Sequence, residues 1–370
     1  MNRPHLMLAP FLILSVFSLA CIPPRSFQRV KGAREGAALN QRVCIVYSQH
    51  YQINLAGLEK LHSFDINKYA KVYLQLVTDG LLRPEDVFVP EEISRADLLR
   101  VHTPDYLDNS LKQPALLARY LEFEAATIAP AGLTDLAVLS AFRRATGGTL
   151  LAARLALDHG IAINLGGGYH HAKPDAGGGF CIYADMPVAI RALQAEGRVA
   201  RALIVDLDVH QGNGTAVCLA GDDSVFTFDM HEEDIYPFPK ETDDLDVPLA
   251  AGLGDDEYLD LLARHLPRVF DQARPDIVFL QAGVDVLAGD RLGNLRLTPE
   301  GVLRRDGMVF DEAVRRGVPI VMVLGGGYGR NAWNVQYQSI RQVILRYGSA
   351  AGRPPYPSRR QTAKERVYTK

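Results

Sequence analysis

Asp208 and His210 stand two residues apart in an extended stretch, so both side chains leave the same face and can meet one cation. Asp285 closes an apolar run, where a bare carboxylate is costly unless it is paired or bound to a metal. Two carboxylates and one imidazole suit Zn²⁺ or Fe²⁺, and three protein ligands leave positions open for water and substrate. Standing alone, an Asp-x-His segment is more often an accident of loop composition than a metal site. The stretches around it change that weighting.

His170 and His171 follow three glycines, 166–168, which let the backbone approach closely and hold the pair at a strand end. Beside an activated water, one imidazole can take a proton and return it to a departing nitrogen. Asp206, on the same strand face as Asp208, is placed to fix a histidine's tautomer and raise its basicity. Tyr328 lies past a second triple-glycine turn, 325–327, from which its hydroxyl can donate to a developing oxyanion. A third run, 177–179, would bring the aromatic wall of Phe180 to the mouth. None of these turns ends in Gly-Lys-Ser/Thr, which speaks against a nucleotide site.

Positioning such groups requires a frame, and the chain alternates short β-branched runs with longer helical patterns. That alternation predicts an α/β fold with a mainly parallel sheet covered by helices on both faces. Predicted strands are 43–47, 161–165, 202–207, 225–229, 276–281 and 318–324; predicted helices include 133–158, 187–196 and 258–272. Met230-His231 is expected just after the fourth strand. In open α/β sheets ligands bind beyond the carboxyl ends of the strands, so five polar or glycine-rich endings should converge on one crevice.

The 370-residue chain is 48% apolar and 22% charged, as expected of a globular protein, and its net charge of −3 offers no general attraction to nucleic acid or anionic lipid. Cys21, Cys44, Cys181 and Cys218 form no C-x-x-C pair and read as small hydrophobes. Residues 1–41 read as a leader and linker: Arg3 precedes an apolar run, 6–20, shorter than the ~20 residues of a membrane span, and Pro23-Pro24 follows. Two readings of this segment stand. Either Cys21 becomes the lipid-anchored end of an exported protein, or the working chain starts near Val43 and is cytoplasmic. Residues 42–348 are expected to form the catalytic domain and 349–370 a polar, basic tail.

The motifs GGGYHHA at 166–172, GGGFC at 177–181, DLDVHQGNG at 206–214, QAGVDVLAGD at 281–290 and GGGY at 325–328 resemble the zinc-dependent histone deacetylases, in the family's order. Asp234-Ile235-Tyr236-Pro237, together with Gln211-Gly212-Asn213 and Gly289-Asp290-Arg291-Leu292-Gly293, resembles its class IV branch. The resemblance implies an arginase-like three-layer α/β/α sandwich. It also implies Zn²⁺ on Asp208, His210 and Asp285, His171 as general acid/base with His170 as its electrostatic partner, and Tyr328 as carbonyl polariser. Phe180, Gly179, Gly326 and Gly327 would line an acyl-lysine channel. A structural K⁺ would sit among Asp206, Asp208, His210, Asp229 and Met230. Asn213 stands where the best-known deacetylases carry a carboxylate beside the base, so the base should be less basic here.

The expected reaction is hydrolysis of acetyl or longer acyl groups from lysine side chains, with acetylpolyamines or other small amides as alternative substrates. A rival enzyme is a two-manganese ureohydrolase of the arginase type, disfavoured because Gly212 follows His210 on the same face where another aspartate would be needed. A rival of another class is a catalytically silent acyl-lysine-binding protein, which would not need the full set of ligands, base and tyrosine.

Overall fold

The computed structural model describes residues 42–53, 62–124 and 135–348. The leader, Cys21 and the 349–370 tail fall outside them.

Seven strands form one wholly parallel sheet in the order β1-β2-β7-β6-β3-β4-β5. They are β1 Arg42–Val46, β2 Gly160–Asn164, β3 Ala202–Asp206, β4 Val225–Glu232, β5 Leu245–Leu249, β6 Ile277–Gln281 and β7 Ile320–Val323. Every residue of β2, β3, β6 and β7 is buried, as near-continuous Ile, Val, Leu and Ala require when helices cover both faces. The Ser140–His159 helix packs on β1, β2 and β7 and against the Asp185–Ala195 helix. On the other side, the Asp255–Ala273 helix packs on β3 and β4 and meets the Pro299–Arg316 helix, which in turn meets Ala332–Tyr347. The result is the expected α/β/α sandwich.

Local chemistry sets the helix ends. Thr298 caps Pro299–Arg316 by accepting the Gly301 N–H at 3.0 Å, Pro299 enters with its fixed φ, and Gly317 closes the helix at φ 68°. Asp255, Asp256 and Glu257 in the first turn of Asp255–Ala273 complement its dipole. Among the described residues no helix is long and apolar enough to cross a membrane.

Two expectations are corrected. β4 runs on to Glu232, so Met230 and His231 are strand residues, paired with β5, rather than the loop after it. β5 itself was not anticipated: it is an edge strand carrying Asp246 and Pro248, and both residue types read as turn signals.

Within the Ser140–His159 helix, a Cβ on Gly147 would lie 2.1 Å from the carbonyl oxygen of Glu91. Ala gains ~1 kcal/mol over Gly in helix propensity, but forcing a methyl into packed backbone costs about 1–3 kcal/mol, and backbone cannot swing aside. Gly147→Ala is therefore expected to lower the urea midpoint; a raised midpoint would show that propensity wins.

The sheet order also locates a crevice. β3 and β6 are neighbours, yet the chain leaves β3 toward β4 through the Asn213–Leu219 helix and leaves β6 toward β7 through the Pro299–Arg316 helix on the opposite side. Divergence of adjacent connections opens a gap at the carboxyl ends of those two strands. Asp208 and His210 follow β3, and Asp285 follows β6.

Candidate metal centre and active site

The ligand atoms of Asp208, His210 and Asp285 all lie within 4.8 Å of one another, and all three residues are buried. Nδ1 of His210 is 3.2 Å from Oδ1 of Asp208 and equally 3.2 Å from Oδ2 of Asp285. Oδ1 of Asp285 accepts the Val209 N–H at 2.9 Å, and Oδ2 of Asp208 accepts the Gly326 N–H at 2.7 Å. Oδ2 of Asp285 accepts no hydrogen bond although it is fully buried. Nδ1 of His210, 3.2 Å away, does not meet it in hydrogen-bond geometry, and a cation among these atoms would satisfy the buried carboxylate. Glycines keep that space open: a Cβ on Gly283 would lie 2.0 Å from Oδ2 of Asp208, and one on Gly326 2.0 Å from Oδ2 of Asp285. The donor set and the space both fit a metal ion.

His170 and His171 lie beside this cluster, with ring centroids 4.1 Å apart. The turn that delivers them uses Gly167 and Gly168 at positive φ, and Asp185 ties it down by accepting the Gly168 and Tyr169 N–H groups at 2.9 and 2.7 Å. Nδ1 of His170 is 2.8 Å from Oδ2 of Asp206, and Nδ1 of His171 is 2.8 Å from Oδ1 of Asn213. Because a carbonyl oxygen only accepts, the His171 proton sits on Nδ1 and leaves Nε2 as the basic nitrogen.

The two imidazoles are pushed apart in basicity. Burial opposes charge on both, but the Asp206 and Asp208 carboxylates outweigh it at His170 and raise that group to about 9. At His171 burial is reinforced by the neighbouring His170 and His210, which hold it well below the usual histidine range. Such a pair, one readily charged and one neutral, is what acid/base exchange at a single site requires.

Tyr328 faces the cluster across the cavity, its ring centroid 6.1 Å from that of His210. Burial, with the Asp285 and Asp208 charges, lifts its phenol well above the ordinary range, so it is a proton donor at neutral pH. Its backbone is clamped by the 289–293 motif: Asp290 accepts the Tyr328 N–H at 2.8 Å and Arg291 donates to its carbonyl at 2.7 Å. Phe180 packs edge-on to Tyr328 with centroids 5.9 Å apart. It holds a left-handed φ of 65°, a strained setting for an aromatic residue, and its N–H donates to Tyr120. Gly179 beside it is also left-handed, and a Cβ there would strike the His171 ring at 2.3 Å.

Asp206 and Asp229 stand opposite each other on β3 and β4, and their carboxylates converge on Gly212. Asp229 accepts the Gly212 N–H at 2.8 Å and contacts Nδ1 of His231 at 2.8 Å. Met230 is buried next to it.

Sequence reasoning overlooked Lys68 and gave Tyr236 no role in the site. Lys68 is buried and donates to the carbonyls of Gly325 and Gly326 at 2.6 and 3.1 Å, its ammonium 4.3 Å from the Phe64 ring centre. Burial lowers it to about 8 against the pull of Asp285 and Asp208. Nothing in the local sequence marks it, since its partners lie some 257 positions on. Tyr236, in the 234–237 motif, is partly exposed and places its ring 4.9 Å from that of His171.

An open parallel sheet with a carboxylate–imidazole–carboxylate cluster at its switch point defines an α/β protein built around a metal-compatible crevice. Residues 62–344 match the histone deacetylase domain family. The chain is 41% identical over 316 residues to histone deacetylase 2 of Arabidopsis thaliana, an overlap of 85% of this chain and 81% of that protein. It is also 41% identical over 298 residues to an uncharacterised protein of a Picosynechococcus strain, covering 80% of this chain and 95% of that one. The crystal structure of the HDA15 HD domain shares the fold, with a TM-score of 0.65 at 23% identity over 82% of this chain and 90% of that chain. The chain belongs to the histone deacetylase family.

Proposed function

We propose that this chain is a zinc-dependent hydrolase that removes acyl groups from lysine side chains. The observation carrying this reading is the convergence of the Asp208, His210 and Asp285 ligand atoms within 4.8 Å of one another, beside two histidines of opposed basicity and a protonated tyrosine. Asp208, His210 and Asp285 would hold the metal, which when bound supplies Lewis-acid chemistry toward water and a carbonyl oxygen.

The chain's own groups do the rest. Nε2 of His171 takes a proton from the attacking water and returns it to the lysine nitrogen as the amide bond breaks. His170, paired with Asp206, sets the charge beside it. The Tyr328 hydroxyl donates to the oxyanion. Phe180, Gly179 and the Gly325-Gly326 backbone line the channel, while Gly327, also expected there, is not among its lining residues; buried Ile66, Val138 and Phe142 extend the apolar lining, which suits an acyl chain and excludes water. Placement in the class IV branch rests on the 211–213, 234–237 and 289–293 motifs. A structural K⁺ near Asp206 and Asp229 belongs to the same reading, supported by two buried carboxylates that converge there.

The test is amine release by the purified, zinc-loaded protein from acetyl-, butyryl-, octanoyl- and myristoyl-lysine peptides and from an acetylpolyamine. Turnover of at least one acyl-lysine peptide, lost on chelation and restored by Zn²⁺, is expected. Preference for the polyamine would shift the substrate to a small amine. No release from any amide with metal bound would leave a binding protein, and two metal ions per chain would favour the ureohydrolase reading.

A further inference from the structure

Arg305 is completely buried in the middle of the Pro299–Arg316 helix, next to the equally buried Asp306. Its Nε and Nη2 both reach Oδ1 of Asp306, at 2.9 and 2.8 Å, and Oδ2 of Asp306 accepts the Ser339 hydroxyl at 2.5 Å. Nη1 then donates twice, to the carbonyl of Leu207 at 2.9 Å and to that of Gly283 at 2.7 Å. Leu207 immediately precedes Asp208, and Gly283 lies two residues before Asp285. One planar guanidinium thus bridges the two strand ends that carry the carboxylates of the metal cluster.

A buried ion pair contributes little net stability, because desolvation offsets most of its attraction. Packing alone therefore gives a poor reason for an Arg-Asp pair on an otherwise apolar helix face. The carbonyls it holds give a better one. β3 and β6 stay paired as far as the Leu207 N–H on the Gln281 carbonyl, at 3.1 Å; beyond that bond their connections part, and the spacing between the two segments sets the distance from Asp208 to Asp285. On the cavity side the ends are braced by the Val209 N–H on Asp285. On the helix side Arg305 supplies the brace, with fixed fork geometry that a flexible ammonium lacks.

We propose that Arg305, oriented by Asp306 and Ser339, is a positioning residue that sets the separation of Asp208 and Asp285 and so the affinity and geometry of the metal site. This rests on the metal reading above. The experiment uses Co²⁺ as the probe, read by competition affinity and by its visible absorption, with the melting temperature of the metal-free protein as the fold control. Wild type and Asp208→Ala test the metal reading: one Co²⁺ per chain in the first and none in the second is expected, and no uptake by wild type would overturn that reading itself.

The positioning role is tested separately. A double variant, Arg305→Met with Asp306→Asn, removes both charges together and keeps an acceptor for Ser339. It is expected to bind Co²⁺ about 10–100-fold more weakly, the range typical of groups that orient metal ligands, and to shift the absorption bands. Arg305→Lys keeps the charge but not the fork and should fall between the two. If the double variant does not fold, Arg305→Lys decides alone. Wild-type affinity and spectrum in the folded variants would overturn the positioning role while leaving the metal site standing.

Discussion

Asp208→Ala is expected to abolish metal uptake and lower turnover of an acyl-lysine peptide by at least about 10³-fold, since even groups that merely orient ligands cost about 10–100-fold in affinity or activity. Two losses combine. One is a ligand atom from a set of three. The other is the acceptor for the Gly326 N–H, which steadies the glycine turn leading to Tyr328. The fold should survive. Burial works against the Asp208 charge, but the imidazoles of His170 and His210 outweigh it and hold the carboxyl well below its usual range, so removing it leaves buried partners uncompensated. The metal-free variant should therefore melt below the metal-free wild type, because the Gly326 N–H and the His210 imidazole lose their buried partner, while still unfolding in one cooperative transition. Metal content by elemental analysis, with turnover and melting on the same preparation, checks all three. Full metal occupancy with turnover within tenfold of wild type would remove Asp208 from the site.

The four central strands were legible because burial on both faces leaves a continuous apolar run, and their ends fell within one or two residues of the observed bounds. β5 was not legible, because an edge strand is only half covered and admits Asp246 and Pro248. His231 was misplaced for a related reason. β4 stays paired through Asp229 and His231, whose side chains meet at 2.8 Å inside the sheet. A polar residue was taken as the end of a strand that had simply found it a partner.

The crevice was legible by the same logic of strand ends. Asp208, His210, Asp285, His170, His171 and Tyr328 all lie in the segments that follow the carboxyl ends of β2, β3, β6 and β7, and the parallel sheet brings those segments to one side. The supporting groups were not, since their partners lie far away in sequence: Lys68 reaches Gly325, and Tyr51 donates to Asn164 at 2.8 Å. Arg305 is an instructive exception. Val302, Val309, Phe310 and Ala313 mark the buried face of its helix, and both Arg305 and Asp306 fall on it at helical spacing. A charged pair on an apolar stripe was visible as a pattern, though not its purpose.

Tyr328→Phe should leave metal binding and melting temperature close to wild type and lower kcat by about 10²–10³-fold, the usual effect of removing one oxyanion donor. The ring would stay where it is. It packs among Phe64, Phe180 and His210, and the Asp290 and Arg291 clamp acts on its backbone, so the substitution removes the hydroxyl and little else. Because burial keeps the phenol protonated, the lost group is a donor across the neutral range, and the deficit should not vanish by raising the pH from 7 to 9. The division between kcat and KM discriminates further. An interaction made only as charge develops on the oxygen lowers kcat and kcat/KM together, whereas a wall of the channel raises KM and spares kcat. A variant with kcat within threefold of wild type and a raised KM would reduce Tyr328 to part of the channel lining and leave the oxyanion to another donor.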